Sequence, residues 1–112
     1  MNLNRWDVVL VRADKKDVVG HPAVVLSPPD ILSDLKQSRI NVLVGTKKQP
    51  AESAKSHQVI LNSADGLEFM TLLNCALVYQ VKKANVLRTA GVVSHARRGA
   101  IAVRLRAAFG LG

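Results

Sequence analysis

The chain has 112 residues and a formal net charge of +8, with 48% hydrophobic and 21% charged residues, a composition typical of one globular domain. Its single cysteine, Cys75, excludes an intrachain disulfide framework. No stretch approaches the roughly 18 apolar residues that a membrane-spanning helix needs, and the first apolar run is too short for a signal peptide. We therefore expect a single cytoplasmic domain over residues 1–112 with no membrane contact.

The positive charge is concentrated in the second part of the chain. Residues 1–68 contain nine Lys and Arg and all eight acidic residues, whereas residues 69–112 contain seven Lys and Arg and no acid. This asymmetry predicts a polyanion or an acidic protein as partner. The alternative is that these charges are only solvated groups on the surface of a helix and a loop.

The first half of the chain has the pattern of short strands. Segments rich in β-branched residues, bounded by turn residues, predict three strands, over residues 6–12, 23–26 and 40–44. After Pro28 and Pro29, either Asp30 or Ser33 is a suitable cap for a helical turn over residues 31–36. Residues 47–57 are polar and without an apolar period, which predicts a long loop.

The second half begins in the same way. The pattern predicts a fourth strand over residues 58–61 and a long extended stretch over residues 71–81 with an irregularity in its middle. Residues 82–87 are compatible with a helical turn, residues 88–91 with a turn, and residues 92–93 with a final short strand.

The carboxy-terminal segment has a helical period instead. Ser94 is a suitable N-cap and Gly110 a suitable stop, so we predict an amphipathic helix of about four turns between them. Its apolar positions are Ile101, Leu105, Ala108 and Phe109. We expect its opposite face to carry Arg97, Arg98 and Arg104. Short strands and one terminal helix together predict a mostly β fold, a small antiparallel barrel with helical decoration.

The order of these segments resembles one family. Trp6-Asp7 runs into Val8-Val9-Leu10-Val11, and Gly20-His21-Pro22-Ala23-Val24-Val25-Leu26-Ser27-Pro28 follows. This opening is similar to that of PemK/MazF-type toxins of bacterial toxin-antitoxin systems, in which a Gly-Asp-Ile-Val-x-Val strand precedes Arg-Pro-Ala-Val-Val-Leu-Ser. Gly45-Thr46 resembles the end of the family's third strand, and Ala108 to Leu111 resembles its final helix.

The resemblance implies both a fold and an activity. It implies an SH3-like antiparallel barrel with a C-terminal helix, the PemK/MazF/CcdB type of fold, that forms a homodimer. It further implies a growth-inhibiting endoribonuclease that cleaves single-stranded mRNA at selected sequences without a metal or other cofactor. The partner that silences such a toxin is an acidic antitoxin protein.

Two departures from the family pattern affect the expected catalytic site. The family's Arg before Pro is replaced by His21, and its Asp-Gln-Ile-Arg-Thr segment is replaced by Ala76-Leu77-Val78-Tyr79-Gln80. Cleavage by internal attack needs a base for the 2′-hydroxyl, a donor for the phosphorane and an acid for the leaving oxygen. An imidazole can be base or acid, and a hydroxyl can donate to phosphate, so His21 and Thr46 are the predicted catalytic residues. The alternative is that His21 is only a turn residue before Pro22.

Other residues are expected to bind the nucleic acid backbone. We predict phosphate contacts from the basic residues Arg12, Lys47, Lys48, Lys82, Lys83, Arg88 and Arg97. His57 and His95 have no acidic or sulfur neighbours at metal-ligand spacing, so no metal site is expected.

Three functions are compatible with these observations. The first is a ribonuclease toxin. The second is a non-catalytic relative of the barrel that binds RNA, DNA or a protein partner, which the missing Arg and Asp favour. The third is a toxin of the related fold that acts on a protein such as DNA gyrase.

Overall fold

A computed structural model describes residues 2–111, which form six strands, two α-helices and two 3₁₀ turns. The strands are β1 (Asp7–Val11), β2 (His21–Val25), β3 (Arg39–Lys47), β4 (Gln58–Leu61), β5 (Thr71–Lys82) and β6 (Val86–Val92). The helices are α1 (Pro29–Ser33) and α2 (His95–Ala108), and the 3₁₀ turns span Ser63–Asp65 and Lys83–Asn85. No helix within the described residues is long and apolar enough to cross a membrane.

The six strands form one antiparallel sheet in the order β4-β5-β3-β2-β1-β6. The predicted antiparallel β fold with a C-terminal helix is confirmed. The predicted closure into a barrel is wrong, because the edge strands β4 and β6 do not pair with each other. The edges meet instead through a turn: a Cβ on Gly66 would lie 2.5 Å from the carbonyl oxygen of Ala90 in β6. Only a residue without a side chain allows the two backbones to approach so closely.

Alternation along the strands gives the sheet two apolar faces. One face packs against Ile101 of α2, and its buried residues include Val8, Val24, Leu43, Leu73 and Cys75. The buried residues of the other face include Val9, Val11, Ala23, Val25, Ile40 and Val42, and Leu3 and Leu32 pack against them. The second face has no long helix over it, and a groove crosses it, as described below.

The irregularity predicted in the middle of residues 71–81 is confirmed. Leu43 of β3 pairs with Val78, whereas Gly45 pairs with Leu73, so one residue of β3 lies opposite four of β5. The Cys75 N–H within this bulge donates to the carbonyl of His57, at 2.9 Å. The bulge changes which residues of β5 face the groove, because it shifts the pairing register.

Two local predictions are wrong. Helix α1 spans Pro29–Ser33 rather than residues 31–36 and has no side-chain cap; proline suits the first helical position because its φ is already helical. Residues 88–91, predicted as a turn, belong to β6, where Arg88 pairs with Leu10 and Gly91 with Val8. The partner strand β1, distant in sequence, overrides the local turn preference.

The limits of α2 are as predicted. The helix follows Ser94, and Gly110 has φ +68°. The Leu111 N–H donates to the carbonyl of Arg106 at 2.8 Å, which together with the left-handed glycine forms a Schellman motif.

The predicted apolar face of α2 is confirmed at Ile101, which is fully buried, and at Leu105, which packs against the core, but Phe109 is 49% exposed. The predicted basic face is wrong. Arg97 and Arg104 lie four residues before and three after the fully buried Ile101, which places them on its side of the helix. Their guanidinium groups turn back to backbone carbonyls, Arg97 Nη1 to Ile60 at 2.6 Å and Arg104 Nη1 to Ala100 at 3.4 Å. The exposed side of the helix carries small residues together with His95, Val103 and Arg106, and Val103 is 60% exposed.

Candidate functional site

A groove of about 560 Å³ lies on the sheet face opposite α2. Its floor is apolar and is formed by Val11, Ala23, Val42, Val44 and Val81. The remaining lining residues are Arg12, Ala13, His21, Arg39, Tyr79, Gln80, Lys82 and Asn85. No acidic side chain lines it. Three permanent cations, one imidazole and one aromatic ring therefore surround a concave surface, an arrangement suited to phosphates and a stacked base.

Strand register brings these residues together from distant parts of the chain. His21, the first residue of β2, pairs with Val11 at the end of β1. Arg39, the first residue of β3, pairs with Lys82 at the end of β5. Tyr79 stands three residues before Lys82 and is 46% exposed, so its ring is accessible from the groove.

Arg12 is fixed at the rim by Asn85. The Arg12 N–H donates to the Asn85 carbonyl at 2.9 Å, and Arg12 Nε donates to Asn85 Oδ1 at 3.1 Å. The hydrogen bond to Asn85 holds the Arg12 side chain in one orientation, so less side-chain entropy is lost when an anion binds to the terminal nitrogens.

His21 follows a loop that one carboxylate organises. Asp17 accepts hydrogen bonds from the N–H groups of Ala13 and Gly20, both at 2.8 Å. These bonds, that from Ala13 foremost, lower the pKa of the Asp17 carboxyl below its usual value. Its Oδ2 lies 3.7 Å from Nε2 of His21, whose side chain is 64% exposed. The Asp17 carboxylate therefore lies beside an accessible imidazole that lines the groove.

Thr46 does not line the groove, although Val44, two residues before it in β3, does. The β2–β3 ladder runs as far as Ala23 opposite Val44. Continuing that register by two residues sets His21 opposite Thr46, and a Cβ on Gly45 would lie 3.6 Å from the Pro22 carbonyl, so the strands are still adjacent there. The register favours the predicted pairing of His21 and Thr46 at one anion, which stays a prediction.

The predicted phosphate-binding residues do not share one surface. Arg12 and Lys82 line the groove, whereas Lys47 and Arg88 line a second cavity on the other face of the sheet. Lys48 is next to Lys47, and its Nζ lies 3.3 Å from the carbonyl of Gln49.

Lys83 and Arg97 are engaged within the chain. Lys83 Nζ donates to the carbonyls of Ile31 and Asp34, at 3.0 and 2.9 Å, and so satisfies the end of α1. Arg97 Nε lies 2.8 Å from Oδ2 of the fully buried Asp65. Neither Lys83 nor Arg97 lines the groove.

Sequence reasoning missed four residues that matter here. Arg39 and Tyr79 line the groove, Asp17 supports His21, and Asp65 joins the sheet edges. The sequence contained an indication for Arg39. It stands directly before the apolar strand residue Ile40, and because neighbouring strand residues point to opposite faces, Arg39 is expected on the face opposite Ile40. For Asp65, the Asp-Gly pair indicated only a turn.

The described residues contain no group of three or more His, Cys, Asp or Glu side chains able to bind a metal ion. Cys75 is fully buried, and burial raises the pKa of its thiol to about 11. A neutral, inaccessible thiol is not a nucleophile.

Comparison with known proteins gives similarity of structure without similarity of sequence. No family model matches the chain, and no curated protein matches its sequence. A mycobacterial endoribonuclease solved in complex with its cognate antitoxin superposes with a TM-score of 0.79 at 16% identity, covering 98% of this chain and 97% of that one. The Mycobacterium tuberculosis toxin MazF-mt6 gives a TM-score of 0.76 at 16% identity, with coverages of 93% and 96%. A chain of a MazE-MazF structure from Deinococcus radiodurans gives a TM-score of 0.75 at 11% identity, with both chains fully covered.

The described residues form a six-stranded antiparallel sheet with one long helix across one face. This is the fold of the MazF toxins, over nearly the whole length of both chains. The resemblance to PemK/MazF-type toxins is thereby confirmed in the fold.

Proposed function

We propose that this protein is the toxin of a toxin-antitoxin system and that it cleaves single-stranded RNA bound in the groove. The groove itself carries the proposal: Arg12, Arg39 and Lys82 supply positive charge, Tyr79 supplies a stacking surface, and no acid is present. Solved structures of the same fold include an endoribonuclease with its cognate antitoxin, which supports an antitoxin protein as the partner. The net charge of +8 favours an acidic one.

The chemistry requires no group outside the chain. The 2′-hydroxyl attacks the adjacent phosphorus, the bond to the 5′-oxygen breaks, and a cyclic phosphate and a 5′-hydroxyl result. In the proposed mechanism His21 transfers a proton, either from the attacking 2′-hydroxyl or to the leaving 5′-oxygen. Thr46 donates to a phosphorane oxygen, and the guanidinium groups of Arg12 and Arg39 stabilise the developing charge. These two arginines take the place of the family arginine that His21 replaces.

The test is cleavage of a labelled single-stranded RNA in the presence of EDTA. We expect His21→Ala to reduce the rate by at least about 100-fold, as expected for loss of a general acid or base, while the matched variant His95→Ala, at another exposed histidine, leaves it unchanged. Equal rates for both variants would exclude His21 as the proton-transfer group.

Binding tests the groove separately from catalysis. Tyr79 and Leu77 are exposed to almost the same extent, 46% and 47%, but only Tyr79 lines the groove. Tyr79→Ala should weaken RNA binding by about 1–3 kcal/mol, and Leu77→Ala should not. If Arg12, Arg39 and Lys82 each contact a phosphate, the logarithm of affinity should fall with that of salt with a slope of about −2, from roughly 0.7 per contact.

A second function uses the same groove without catalysis. His21 replaces the family arginine before Pro, and Tyr79 replaces the Arg of the family's Asp-Gln-Ile-Arg-Thr segment. Both replacements favour a protein that binds RNA and does not cut it. Salt-dependent binding through Tyr79 with no cleavage by the unaltered chain would select this alternative.

The homodimer remains part of the proposal. A second copy of the chain can extend the groove, since an isologous pair is the commonest arrangement among soluble oligomers. Sedimentation equilibrium at tens of micromolar should give twice the monomer mass, and a monomer mass would remove this part of the proposal.

A further inference from the structure

The side-chain amide of Asn85, which lines the groove, is held in one orientation. Arg12 Nε carries a hydrogen and can only donate, so the amide atom 3.1 Å from it is the acceptor Oδ1. The reverse orientation would set the amide NH2 against the Nε hydrogen and leave two donors facing each other, which is unfavourable. A backbone bond reinforces the contact, because the Arg12 N–H donates to the Asn85 carbonyl at 2.9 Å.

A fixed amide offers a ligand mainly one kind of polar group. Because the Asn85 oxygen is engaged by Arg12, the NH2 is the group left for a ligand, and it donates hydrogen bonds. Gln80 is the other amide among the lining residues. Its side chain is exposed and can turn either its oxygen or its NH2 to a ligand. Asn85 therefore imposes a preference for acceptors that Gln80 does not impose.

The charged residues of the groove limit how an RNA base can approach Asn85. Arg12, Arg39 and Lys82 line the groove, and phosphate contacts from such cations fix the register of a strand without reading its sequence. A base stacked on Tyr79 is then presented to Asn85 in a narrow range of orientations. Turning the base to offer another edge would draw its phosphate away from these cations.

We propose that Asn85 is a specificity-determining residue that selects a keto base over an amino base at the position stacked on Tyr79. Uracil and guanine carry a carbonyl oxygen, O4 or O6, where cytosine and adenine carry an amino group. The Asn85 NH2 can donate to the oxygen, whereas against the amino group two donors meet and both lose a partner. Base selection of this kind rests on RNA binding in the groove, which is part of the proposed function, and adds the chemical class of base that the groove accepts.

The experiment compares single-stranded RNAs that differ in this group. Fluorescence anisotropy measures the binding of labelled uridine and cytidine hexanucleotides, which have the same length and charge, to the full chain. Inosine and adenosine hexanucleotides form a purine pair, because hypoxanthine carries O6 where adenine carries the amino group. We expect the keto member of each pair to bind at least about fivefold more tightly, the lower end of the discrimination by a good base contact.

Substitutions at Asn85 test the direction of the preference. Asn85→Asp keeps an oxygen for Arg12 Nε and replaces the NH2 by a second acceptor, so this variant should bind the cytidine hexanucleotide more tightly than the uridine one. Asn85→Ala should bring the two affinities to the same value. The matched control Asn41→Asp makes the same change of charge at an exposed asparagine that does not line the groove, and it should preserve the uridine preference.

Arg12→Ala separates the orientation of the amide from its presence. This variant leaves Asn85 in place but removes the donor that faces Oδ1, so the amide can turn and the ratio of the uridine and cytidine affinities should fall. Loss of a phosphate contact alone would weaken both RNAs equally and leave the ratio unchanged. Thermal melting verifies that each variant folds.

A measurement on the unaltered chain does not depend on the folding of any variant. The NMR signals of the Asn85 side-chain NH2 should shift when the uridine hexanucleotide is added, and they should shift less with the cytidine hexanucleotide at the same saturation. Equal shifts would contradict a hydrogen bond from this NH2 to O4.

The outcomes separate base selection from the proposed function. Equal affinities within either pair, a uridine preference retained in Asn85→Ala or Asn85→Asp, or an equal change in Asn41→Asp would overturn the role of Asn85 while leaving RNA binding intact. No measurable binding of any of the four RNAs at millimolar concentration would overturn both. A keto preference without cleavage by the unaltered chain would support base selection by Asn85 and contradict the ribonuclease.

Discussion

Asp65 joins the two edges of the open sheet, and its removal should be the most damaging single substitution of a charged residue in this fold. The side chain is fully buried. Its carboxylate accepts from the N–H of Asn62 at 3.0 Å and from the N–H of Ser94 at 2.9 Å, and it lies 2.8 Å from Arg97 Nε. It thereby connects the segment after β4 to the start of α2.

The cost of Asp65→Ala follows from the groups left behind. Each N–H that loses its acceptor in a buried place costs about 1–3 kcal/mol, and breaking a buried ion pair costs about 3–5 kcal/mol in total. These penalties overlap, because water can enter once the carboxylate is gone and Arg97 is still 26% exposed. We therefore expect the free energy of unfolding to fall by about 3–5 kcal/mol.

Urea denaturation and thermal melting measure this change. With an unfolding entropy of about 2.1 cal/mol/K per residue and 112 residues, the midpoint temperature should fall by roughly 13–21 °C. Asp65→Asn retains one acceptor oxygen and should cost less. Asp30→Ala removes an exposed acid from α1 and should change stability by less than about 0.5 kcal/mol. If the free energy of unfolding of Asp65→Ala fell by less than about 1 kcal/mol, the three contacts of Asp65 would not be stabilising the connection between the segment after β4 and the start of α2.

Two further predictions concern titratable groups. Burial raises the pKa of the Cys75 thiol from its ordinary value of 9.0 to about 11. The thiol should therefore react with iodoacetamide at pH 8 about 100-fold more slowly than in the urea-unfolded chain, because thiolate is the reactive form; equal rates would show that the thiol is exposed. The pKa of Asp17 is lowered below 3.8 in the folded chain, so the stabilisation that it contributes is complete above that pH and is lost as pH falls through the folded value. The amide signals of Ala13 and Gly20 should therefore shift only under strongly acidic conditions, and Asp17→Asn should abolish that transition in their NMR spectra.

Local sequence was sufficient where an element depends on its own residues. Strand β4 spans Gln58–Leu61, the same residues that its β-branched pattern indicates. Helix α2 starts after Ser94 and ends at the glycine that adopts a left-handed conformation. Turn residues and the C-terminal glycine act within a few positions along the chain, so no knowledge of distant partners was needed, although the Ser94 side chain makes no capping hydrogen bond.

Prediction from local sequence was wrong where pairing with a distant strand determines the conformation. Residues 88–91 contain small and turn-forming residues, yet hydrogen bonds to β1 keep them extended. The prediction of a closed barrel was wrong for a related reason, because closure depends on how far the sheet bends to bring its edge strands β4 and β6 together. Here Gly66 meets Ala90 through a turn before the edge strands can pair.

The candidate site divides in the same way. The sequence by itself indicated a basic, RNA-cleaving class of protein, and it singled out His21 because a chemically distinctive residue stands before Pro22 in a family-like opening. Only the tertiary structure brought Arg39 and Tyr79 to the same groove, because their meeting depends on the register of β3 with β5, in which Arg39 pairs with Lys82 and Val42 with Tyr79. It also assigned Arg97 to a buried carboxylate, since the direction of a long side chain is set by the partners within its reach and not by charge patterning along the chain.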